Sequence, residues 1–476
     1  MSAMDPSSEL SRSKALRSVG EQEPSVYRVG TLVYTFRGLL IVFGWMLFGD
    51  FCFTMMESLV PSLLPLTLKD IGGSNATIGL LVGTIPALFN MVLTPILGYK
   101  SDRHRGPRGR RIPYLLWPTP IVTASLILLA FSNDIGDWIH RTILSSSGIS
   151  ESHILLITVG VCVVLFQFFN MFIASVYYWL FNDVVPAHLM GRFYALIRVV
   201  GSTAGFVFNR YVLGLADMHM RTIYVGVAII YFVSFMLLCR NVEEGEYPPP
   251  EAAPDIGWTK SAMIFIRECF TIPYYWWFYL AYALMTVGGL APQLFRILFA
   301  KQLGISLDAT GKILSWGAIV GVVMYYPLGV LADKIHPLRL YIIAMAIMII
   351  VSVLSVCEIK GPDSFWVLTI IWYVGWACNL AANAPLFPVL LPKEQFGQFA
   401  SAASVIASGM VMIGNYCSGK LIDYAGSYYV VYWWQLACTL GAIGCAVMIY
   451  RGWLRHGGDA KYIAPVRSES HVCLSS

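Results

Sequence analysis

The chain alternates between long apolar stretches and short polar segments, and this alternation constrains its fold more than any other feature. A helix needs about 20 predominantly apolar residues to cross a lipid bilayer. Twelve stretches meet that requirement: 38–66, 76–99, 112–132, 153–181, 191–214, 222–240, 273–298, 309–332, 338–357, 364–390, 396–420 and 428–450. Only 12% of the 476 residues are charged, whereas soluble globular chains carry about 25%. The sequence therefore predicts an all-α membrane protein with twelve transmembrane helices.

The polar segment Gly98–Pro113, between the second and third stretches, predicts the orientation. It reads GYKSDRHRGPRGRRIP and gathers six cationic side chains around one acid, Asp102. Such basic loops stay on the cytoplasmic side. Of the 32 Lys and Arg residues, 22 fall on the side of this loop, nine on the other side and one, Arg198, within a stretch. We therefore expect an integral protein of the plasma (inner) membrane with both termini in the cytoplasm, and the net charge of +5 does not indicate nucleic-acid binding.

The longest interior break in the apolar pattern predicts a linker. It contains NVEEGEYPPPEAAPDIGW, whose prolines and charges exclude a spanning helix. The predicted organisation is a cytoplasmic N-terminal tail at 1–37, a six-helix bundle at 38–240, the cytoplasmic linker at 241–272, a second six-helix bundle at 273–451 and a cytoplasmic C-terminal tail at 452–476.

The two halves are repeats of one another at an offset of 206 residues. Ten identities fall within 38 positions, without a gap in the register. The first half has Leu180, Phe181, Pro186, Gly191, Phe193, Val199, Ser202, Asn209, Leu215 and Asp217; the second has Leu386, Phe387, Pro392, Gly397, Phe399, Val405, Ser408, Asn415, Leu421 and Asp423. Two parallel six-helix pseudo-repeats describe the major facilitator architecture.

The Gly98–Pro113 loop also predicts a conformational latch. Its motif residues are Gly98, Asp102, Arg103, Gly109, Arg110 and Arg111, with a weaker copy at Gly329 and Asp333. Glycine lets two helices approach closely. We expect a helix N-terminus of the other half, together with neighbouring arginines, to stabilise Asp102. The alternative is positive charge that serves topology alone, which would explain the arginines but not Asp102 or the glycines.

Two acids in the first stretch, Asp50 and Glu57, are candidates for proton coupling. They lie seven residues apart and so share one helix face. A carboxylate inside a span is a functional-site candidate by default. Arg198, in the fifth stretch, is the candidate charge partner. The alternatives are that Glu57 lies at the outer interface, that Asp50 pairs structurally with a cation, and that Arg198 extends to the cytoplasmic interface.

Polar stripes in the fourth and tenth stretches predict a substrate cavity. One carries Gln167, Asn170 and Tyr177, and the other carries Trp372, Trp376, Asn379 and Asn383. At the repeat offset, Asn170 falls on Trp376 and Tyr177 on Asn383. Amides hydrogen-bond hydroxyls, and indole faces stack against the C–H faces of sugars. The alternative is helix-packing amides with interfacial aromatics. Gln293 and Arg296, near the outer end of the seventh stretch, are candidate gating groups.

Catalytic motifs do not occur in the sequence. There is no G-x-x-x-x-G-K-[ST], no H-E-x-x-H and no G-x-S-x-G. The ten cysteines form no C-x-x-C pair. We therefore expect neither an enzyme nor a bound metal or cofactor.

Three segments resemble one branch of the major facilitator superfamily. FGD followed by MMES, GYKSDRHRGPRGRRIPY, and EGEYPPP are similar to segments of the sucrose–proton symporters of plants, their animal relatives and bacterial homologues, which lie near the glycoside–pentoside–hexuronide cation symporters. The resemblance implies a proton-coupling role for Glu57, because a first-span glutamate follows a Phe-Gly pair at a similar spacing in the animal branch. Gly-Arg-Arg is absent from the C-terminal loop copy, so we expect a weaker latch there.

The sequence as a whole predicts a monomeric permease that moves a neutral sugar or glycoside with protons. Its expected partners are the sugar, the coupling ion (H⁺ or Na⁺) and the lipid bilayer. The first alternative is a permease or exporter for another small solute, and the second is a non-transporting sugar receptor on the same fold. Import and export are both compatible with these residues.

Overall fold

The computed structural model describes residues 27–142, 150–248, 258–393 and 395–465. In these residues, eleven helical stretches are long and apolar enough to cross a membrane. One of them, Ala187–Asn241, has 55 residues and would extend about 80 Å if straight, against a bilayer core of about 30 Å. It contains two spans, because π-helical Phe208–Val212 and a non-helical backbone at His219 interrupt it. The predicted all-α architecture with twelve spans is confirmed.

The spanning helices mostly extend past the apolar stretches by a few residues, whereas the third and fifth end earlier than predicted and the twelfth begins later. They are α1 (Phe36–Asp70), α2 (Asn75–Arg103), α3 (Ile112–Ala130), α4 (Glu151–Val184), α5 (Met190–Val207), α6 (Ala216–Asn241), α7 (Pro273–Gln302), α8 (Leu307–Ile335), α9 (Pro337–Glu358), α10 (Pro362–Leu390), α11 (Phe396–Ala425) and α12 (Val430–Arg455). Polar caps set several of the starts. Thr35, Ser74 and Ser306 each accept a hydrogen bond from a backbone N–H of the first turn that follows.

Several shorter elements lie outside the spans. A hairpin of Tyr27–Val29 and Leu32–Tyr34 precedes α1, with Tyr27 opposite Tyr34. The sequence does not predict it, because three-residue strands are too short to show an alternating pattern. Further helices are Ser132–Thr142, Trp258–Phe270 and Gly458–Lys461. Residues 1–26 and 466–476 of the predicted tails, and 249–257 of the predicted linker, lie outside the described residues.

The two halves meet at the end of the bundle opposite the Gly98–Pro113 loop. We call the end with this loop the loop end, and the other, with the α1–α2 and α11–α12 turns, the gate end. In the part of the chain that the structure describes, every side-chain hydrogen bond and ion pair between the halves lies toward the gate end. These join Asp423 to Asn75 and Ala76, Tyr428 to Asn75, Lys301 to Asp70, and Thr84 to Met412.

The apolar core has the same asymmetry. One cluster of buried side chains contains the core of the first half together with gate-end residues of the second, including Phe295, Phe299 and Tyr432. A second cluster lies entirely within the second half and includes Leu338, Phe399 and Trp453. Shared apolar packing therefore closes the gate end.

Two helix crossings at the gate end follow the sequence repeat. Gly79 of α2 lies against the backbone carbonyl of Asn415 on α11, and Gly311 of α8 lies against that of Asn209 in the π-helical turn after α5. A Cβ atom at either glycine would overlap the facing backbone. Since Asn209 and Asn415 are a repeat pair, the same close approach occurs once in each direction between the halves.

Candidate functional site

A cavity of about 450 Å³ lies between the halves beneath the gate-end crossings. This volume is within the range of small-molecule sites, about 300–1,000 Å³. Helices of both halves supply its polar lining, which includes Ser58, Asn209, Gln293, Arg296, Trp376 and Asn415. Amides, hydroxyls and one cation therefore converge on a space with aromatic walls, which suits a polar organic solute.

The carboxylate of Glu57 is hydrogen-bonded to a residue of the predicted substrate stripe. The Nδ2 of Asn170 donates to its Oε1 at 2.5 Å. Asn170 is buried on α4, whereas Glu57 remains exposed although it lies well inside the 35-residue α1. The next residue, Ser58, lines the cavity. The structure thus brings together a predicted proton acceptor and a predicted substrate residue next to a lining residue of the cavity, although neither Glu57 nor Asn170 lines the cavity itself.

Asp50 and Arg198 do not form the expected ion pair. Asp50 is 1% exposed, and neither carboxylate oxygen has a hydrogen-bond partner. It lies beside Gly201, one turn beyond Arg198 on α5: a Cβ at Gly201 would stand 3.4 Å from its Oδ2. In the described ranges, Arg198 is exposed and has no carboxylate within 4 Å. The predicted pairing of Arg198 with Asp50 or Glu57 is therefore wrong for this conformation, because Glu57 bonds an amide instead and Asp50 is enclosed.

The tenth-span stripe presents its indoles as a stacked pair. The rings of Trp372 and Trp376 are 5.4 Å apart and nearly parallel, at 13°. Both indoles line the cavity. Trp372 is also buried, and its Nε1 donates a hydrogen bond to Gln435 of α12 at 3.0 Å. Gln435 was not predicted from the sequence. The pair gives the cavity a firmly held aromatic wall.

The remaining stripe residues differ in their placement. The side-chain oxygens of Asn379, Asn383 and Asn170 are buried without a hydrogen-bond partner, and such groups require one. Gln167 is half-buried. The three asparagines retain acceptor capacity, but neither they nor Gln167 line the cavity in this conformation, so of the predicted substrate residues only Trp372 and Trp376 do.

Tyr177 does not line the cavity, contrary to the prediction. Its side chain is fully buried, and its hydroxyl donates to the backbone carbonyl of Met46 at 2.5 Å. Gly49 leaves the space for this hydroxyl, because a Cβ there would lie 3.0 Å from it. The ring packs against Phe181 within the first half. Tyr177 therefore joins α4 to α1 and does not face the solute.

The loop-end network centres on Asp183, at the end of α4, which the sequence did not single out. Arg110 binds both carboxylate oxygens of Asp183, at 2.9 and 2.5 Å. Arg111, which is 6% exposed, contacts Asp183 at 3.1 Å, forms an ion pair with Asp102 and donates to Ser101. The hydrogen bond from Arg110 to Asp183 raises the pKa of Arg110 further above its usual range, so this cation stays charged.

The linker residue Glu244 holds the start of α3. Its carboxylate accepts the backbone N–H groups of Arg110, Arg111 and Ile112, at 2.9, 2.8 and 2.6 Å. These groups have no partner within the helix, and an anion is favourable at a helix N-terminus. Tyr247 donates to Glu244 at 3.2 Å, and its ring lies 4.1 Å from the Arg110 guanidinium. Glu244 and Tyr247 of the resembling segment therefore fix the linker to the loop.

The latch residues make contacts within their own half. Asp102 pairs with Arg111, as expected of neighbouring arginines, but no helix N-terminus of the other half reaches it among the described residues. Arg103 lies over the ring of Tyr99. Gly98 faces only Trp179, and its Cβ would be at an ordinary contact distance of 3.6 Å. The predicted inter-half contact is therefore not formed in this conformation, because the halves meet at the gate end.

The C-terminal copy of the loop carries no such network. Gly329 has no neighbour within 4 Å of an added Cβ, and Asp333 is exposed without an ion pair in the described ranges. His336 follows in a left-handed conformation with φ of 74°. Burial lowers the pKa of His336, which keeps this residue neutral at pH 7.

The fold and the cavity define a solute transporter built from two six-helix repeats. Residues 46–415 match the family model of the Major Facilitator Superfamily. The chain belongs to this superfamily, and it is an integral membrane transporter rather than an enzyme.

Individual relatives carry different solutes. The chain is 27% identical to human monocarboxylate transporter 2 over 197 residues, which make up 40% of this chain and 39% of that protein. A bacterial homologue of the iron transporter ferroportin in an inward-facing state has a similar structure (TM-score 0.65, 15% identity, 86% of this chain and 99% of that one). So has a nucleoside transporter, NupG (TM-score 0.65, 12% identity, 87% and 99%). These structural likenesses show the fold alone.

Proposed function

We propose that this protein moves a sugar or glycoside together with protons by alternating access. The observation that carries the proposal is the hydrogen bond between Glu57 and Asn170, beside Ser58 of the cavity lining. A proton bound by Glu57 would change that bond, because only the ionised carboxylate is purely an acceptor. Solute contacts and protonation would then be coupled through one amide.

The polar and aromatic lining supports a hydroxyl-rich solute. Trp372 and Trp376 form an aromatic wall, and Asn209, Gln293 and Asn415 supply amides. Asn170, Asn379 and Asn383 lie outside this lining and have buried oxygens without a hydrogen-bond partner. We propose further that the gate end faces outward and that the conformation described is open toward the cytoplasm. The proposed sucrose-symporter-like ancestry rests on the three resembling segments.

Uptake into proteoliposomes tests the proposal. With an inward proton gradient, the wild type should accumulate a labelled sugar, and Glu57→Gln should abolish accumulation while retaining some sugar exchange. Glu151→Gln, at the exposed start of α4, is the matched control and should behave as the wild type. Normal accumulation by Glu57→Gln would contradict the proton role. The solute panel should include a nucleoside and a monocarboxylate, since relatives are named for these.

A further inference from the structure

Arg296 is a buried cation for which the described part of the chain supplies no ion-pair partner. It lies on α7, is 5% exposed and lines the central cavity. Its guanidinium is 4.2 Å from the ring centre of Trp372 and 4.9 Å from that of Tyr373. In the parts of the chain that the structure describes, no carboxylate lies within 4 Å of it.

Comparison with Arg111 shows how unusual this is. Among the described residues, three charged residues are more than nine-tenths buried as whole residues: Asp50, Arg111 and Arg296. Arg111 is neutralised by two acids, Asp102 and Asp183, and the side chain of Asp183 is itself only 6% exposed. A buried charge is expensive unless it is paired, and ring faces offset only part of that cost. Arg296 therefore has a planar donor fork at the cavity wall that its own chain leaves unfilled.

The groups around Arg296 suit the rest of a polyhydroxylated molecule. Gln293 lies one turn earlier on α7 and is exposed. Asn209, in the π-helical turn after α5, and Asn415, on α11, line the same cavity. An amide side chain can both donate a hydrogen bond to a hydroxyl and accept one from it. A guanidinium binds a carboxylate through two parallel hydrogen bonds. The two kinds of group line one space of about 450 Å³.

We propose that Arg296 is an anion subsite and that the solute is a sugar acid whose carboxylate it binds. The proposal rests on the proposed function and narrows its substrate class. It also has an electrical consequence. One proton moved with one monoanion transfers no net charge, whereas one proton moved with a neutral sugar transfers one positive charge.

Binding of D-glucuronate against its neutral isostere D-glucuronamide tests the subsite. In purified full-length protein, glucuronate should raise the midpoint of thermal unfolding more than the amide does. Arg296→Gln should weaken glucuronate binding on the order of 10- to 100-fold, the range expected for a lost charged hydrogen-bond partner. Arg296→Lys keeps the charge but not the fork, so its affinity should be intermediate. Equal stabilisation by acid and amide in the wild type would overturn the subsite.

A matched control separates this effect from loss of any cation–π contact. Arg210, half-buried at the outer end of the fifth span, lies 5.2 Å from the ring centre of Tyr211 and does not line the cavity. Arg210→Gln should bind glucuronate as the wild type does; an equal loss there would refute a specific role for Arg296. If Arg296→Gln does not fold, Arg296→Lys decides: weakened glucuronate affinity supports the subsite, and unchanged affinity overturns it.

Transport in proteoliposomes distinguishes the two proposals. Glucuronate uptake driven by a proton gradient should respond little to an imposed membrane potential, as a charge-neutral process. Proton-driven accumulation of D-glucose without any preference for glucuronate would retain the proposed function and overturn the anion subsite. If neither compound binds or accumulates, the proposed sugar function fails and the sugar-acid assignment fails with it.

Discussion

The two copies of the Gly-x-x-x-Asp loop follow corresponding helices but differ in length and in electrostatics: the first connects Arg103 to Ile112, and the second is the single residue His336. In the N-terminal copy, Asp102 and Asp183 neutralise the buried Arg111, and Glu244 caps the helix that follows. In the C-terminal copy, Asp333 is exposed and unpaired within the described ranges. A repeat of helices therefore does not imply a repeat of the contacts that hold their ends.

The difference has two origins in the sequence. Ile335, His336 and Pro337 follow Asp333-Lys334 where the N-terminal loop continues to Gly-Arg-Arg. At the repeat offset, Asp183 corresponds to Val389. The second half therefore lacks both the arginines and the acid that neutralises them. The absence of both is consistent with the free-energy cost of burying either charge without its partner.

Of the changes considered, Asp183→Asn should cause the largest loss in the free energy of unfolding. It leaves Arg110 and the buried Arg111 with only the exposed Asp102, and breaking a buried pair costs about 3–5 kcal/mol. Arg110 is partly exposed, so we expect the low end, about 3 kcal/mol. The measurement is the free energy or midpoint of unfolding in detergent micelles.

The exposed pair beside the C-terminal loop gives the control. Arg339 and Asp459 lie 2.5 Å apart, with side chains 41% and 57% exposed. Asp459→Asn should cost about 0–1 kcal/mol, as solvent-exposed pairs do. Equal losses in the two variants would show that the loop copies do not differ in the way described.

Gly109→Ala should be the next most damaging change. Gly109 has φ of +88°, where an L-residue is strained by about 1–2 kcal/mol. Its added Cβ would also fall 2.5 Å from the Cβ and Cδ of Glu244. We expect a loss of about 2 kcal/mol. Gly329→Ala is the contrasting change in the other copy, at the position that repeats Gly98: it lies inside α8 with open space around it, so it should stabilise by about 0.5–1 kcal/mol.

Changes of opposite sign in the free energy of unfolding of Gly109→Ala and Gly329→Ala would support the difference between the two loop copies. A destabilised Gly329→Ala would mean that this helix needs a close approach in another conformation, as the latch hypothesis holds for Gly98. Uptake rates of the same variants would then show whether the effect lies in folding or in the conformational cycle.

The helices and the repeat were predictable because both depend on regular patterns. Apolar length predicts a span, and an ungapped offset of 206 residues relates 180–217 to 386–423. The repeat also contains Asn209 and Asn415, which form the gate-end crossings, although their role is visible only once Gly79 and Gly311 face them.

The pairing of charges was not predictable in the same way. Arg198 was expected to form an ion pair with Asp50 or Glu57. Instead, Arg198 lies on an exposed face of α5, and Glu57 accepts a hydrogen bond from Asn170. Tyr177 shares the face of Asn170 by periodicity, yet its longer side chain turns to the carbonyl of Met46. Hydrogen bonds between residues far apart in the chain, such as those of Glu244 to the start of α3, produce no periodic pattern in the sequence.

Glu244→Ala should have the smallest effect of the three changes. It removes the acceptor of three N–H groups, but the site is partly exposed and water can replace it, so we expect a loss of about 1 kcal/mol. Glu246→Ala, two residues later and exposed, should be neutral. Combined with Gly109→Ala, Glu244→Ala should be less than additive, because the overlap of the added Cβ with the Cδ and Oε1 atoms of Glu244 disappears, while the overlap with its Cβ stays. Strict additivity in unfolding measurements would mean that the Glu244 side chain beyond its Cβ does not restrict position 109.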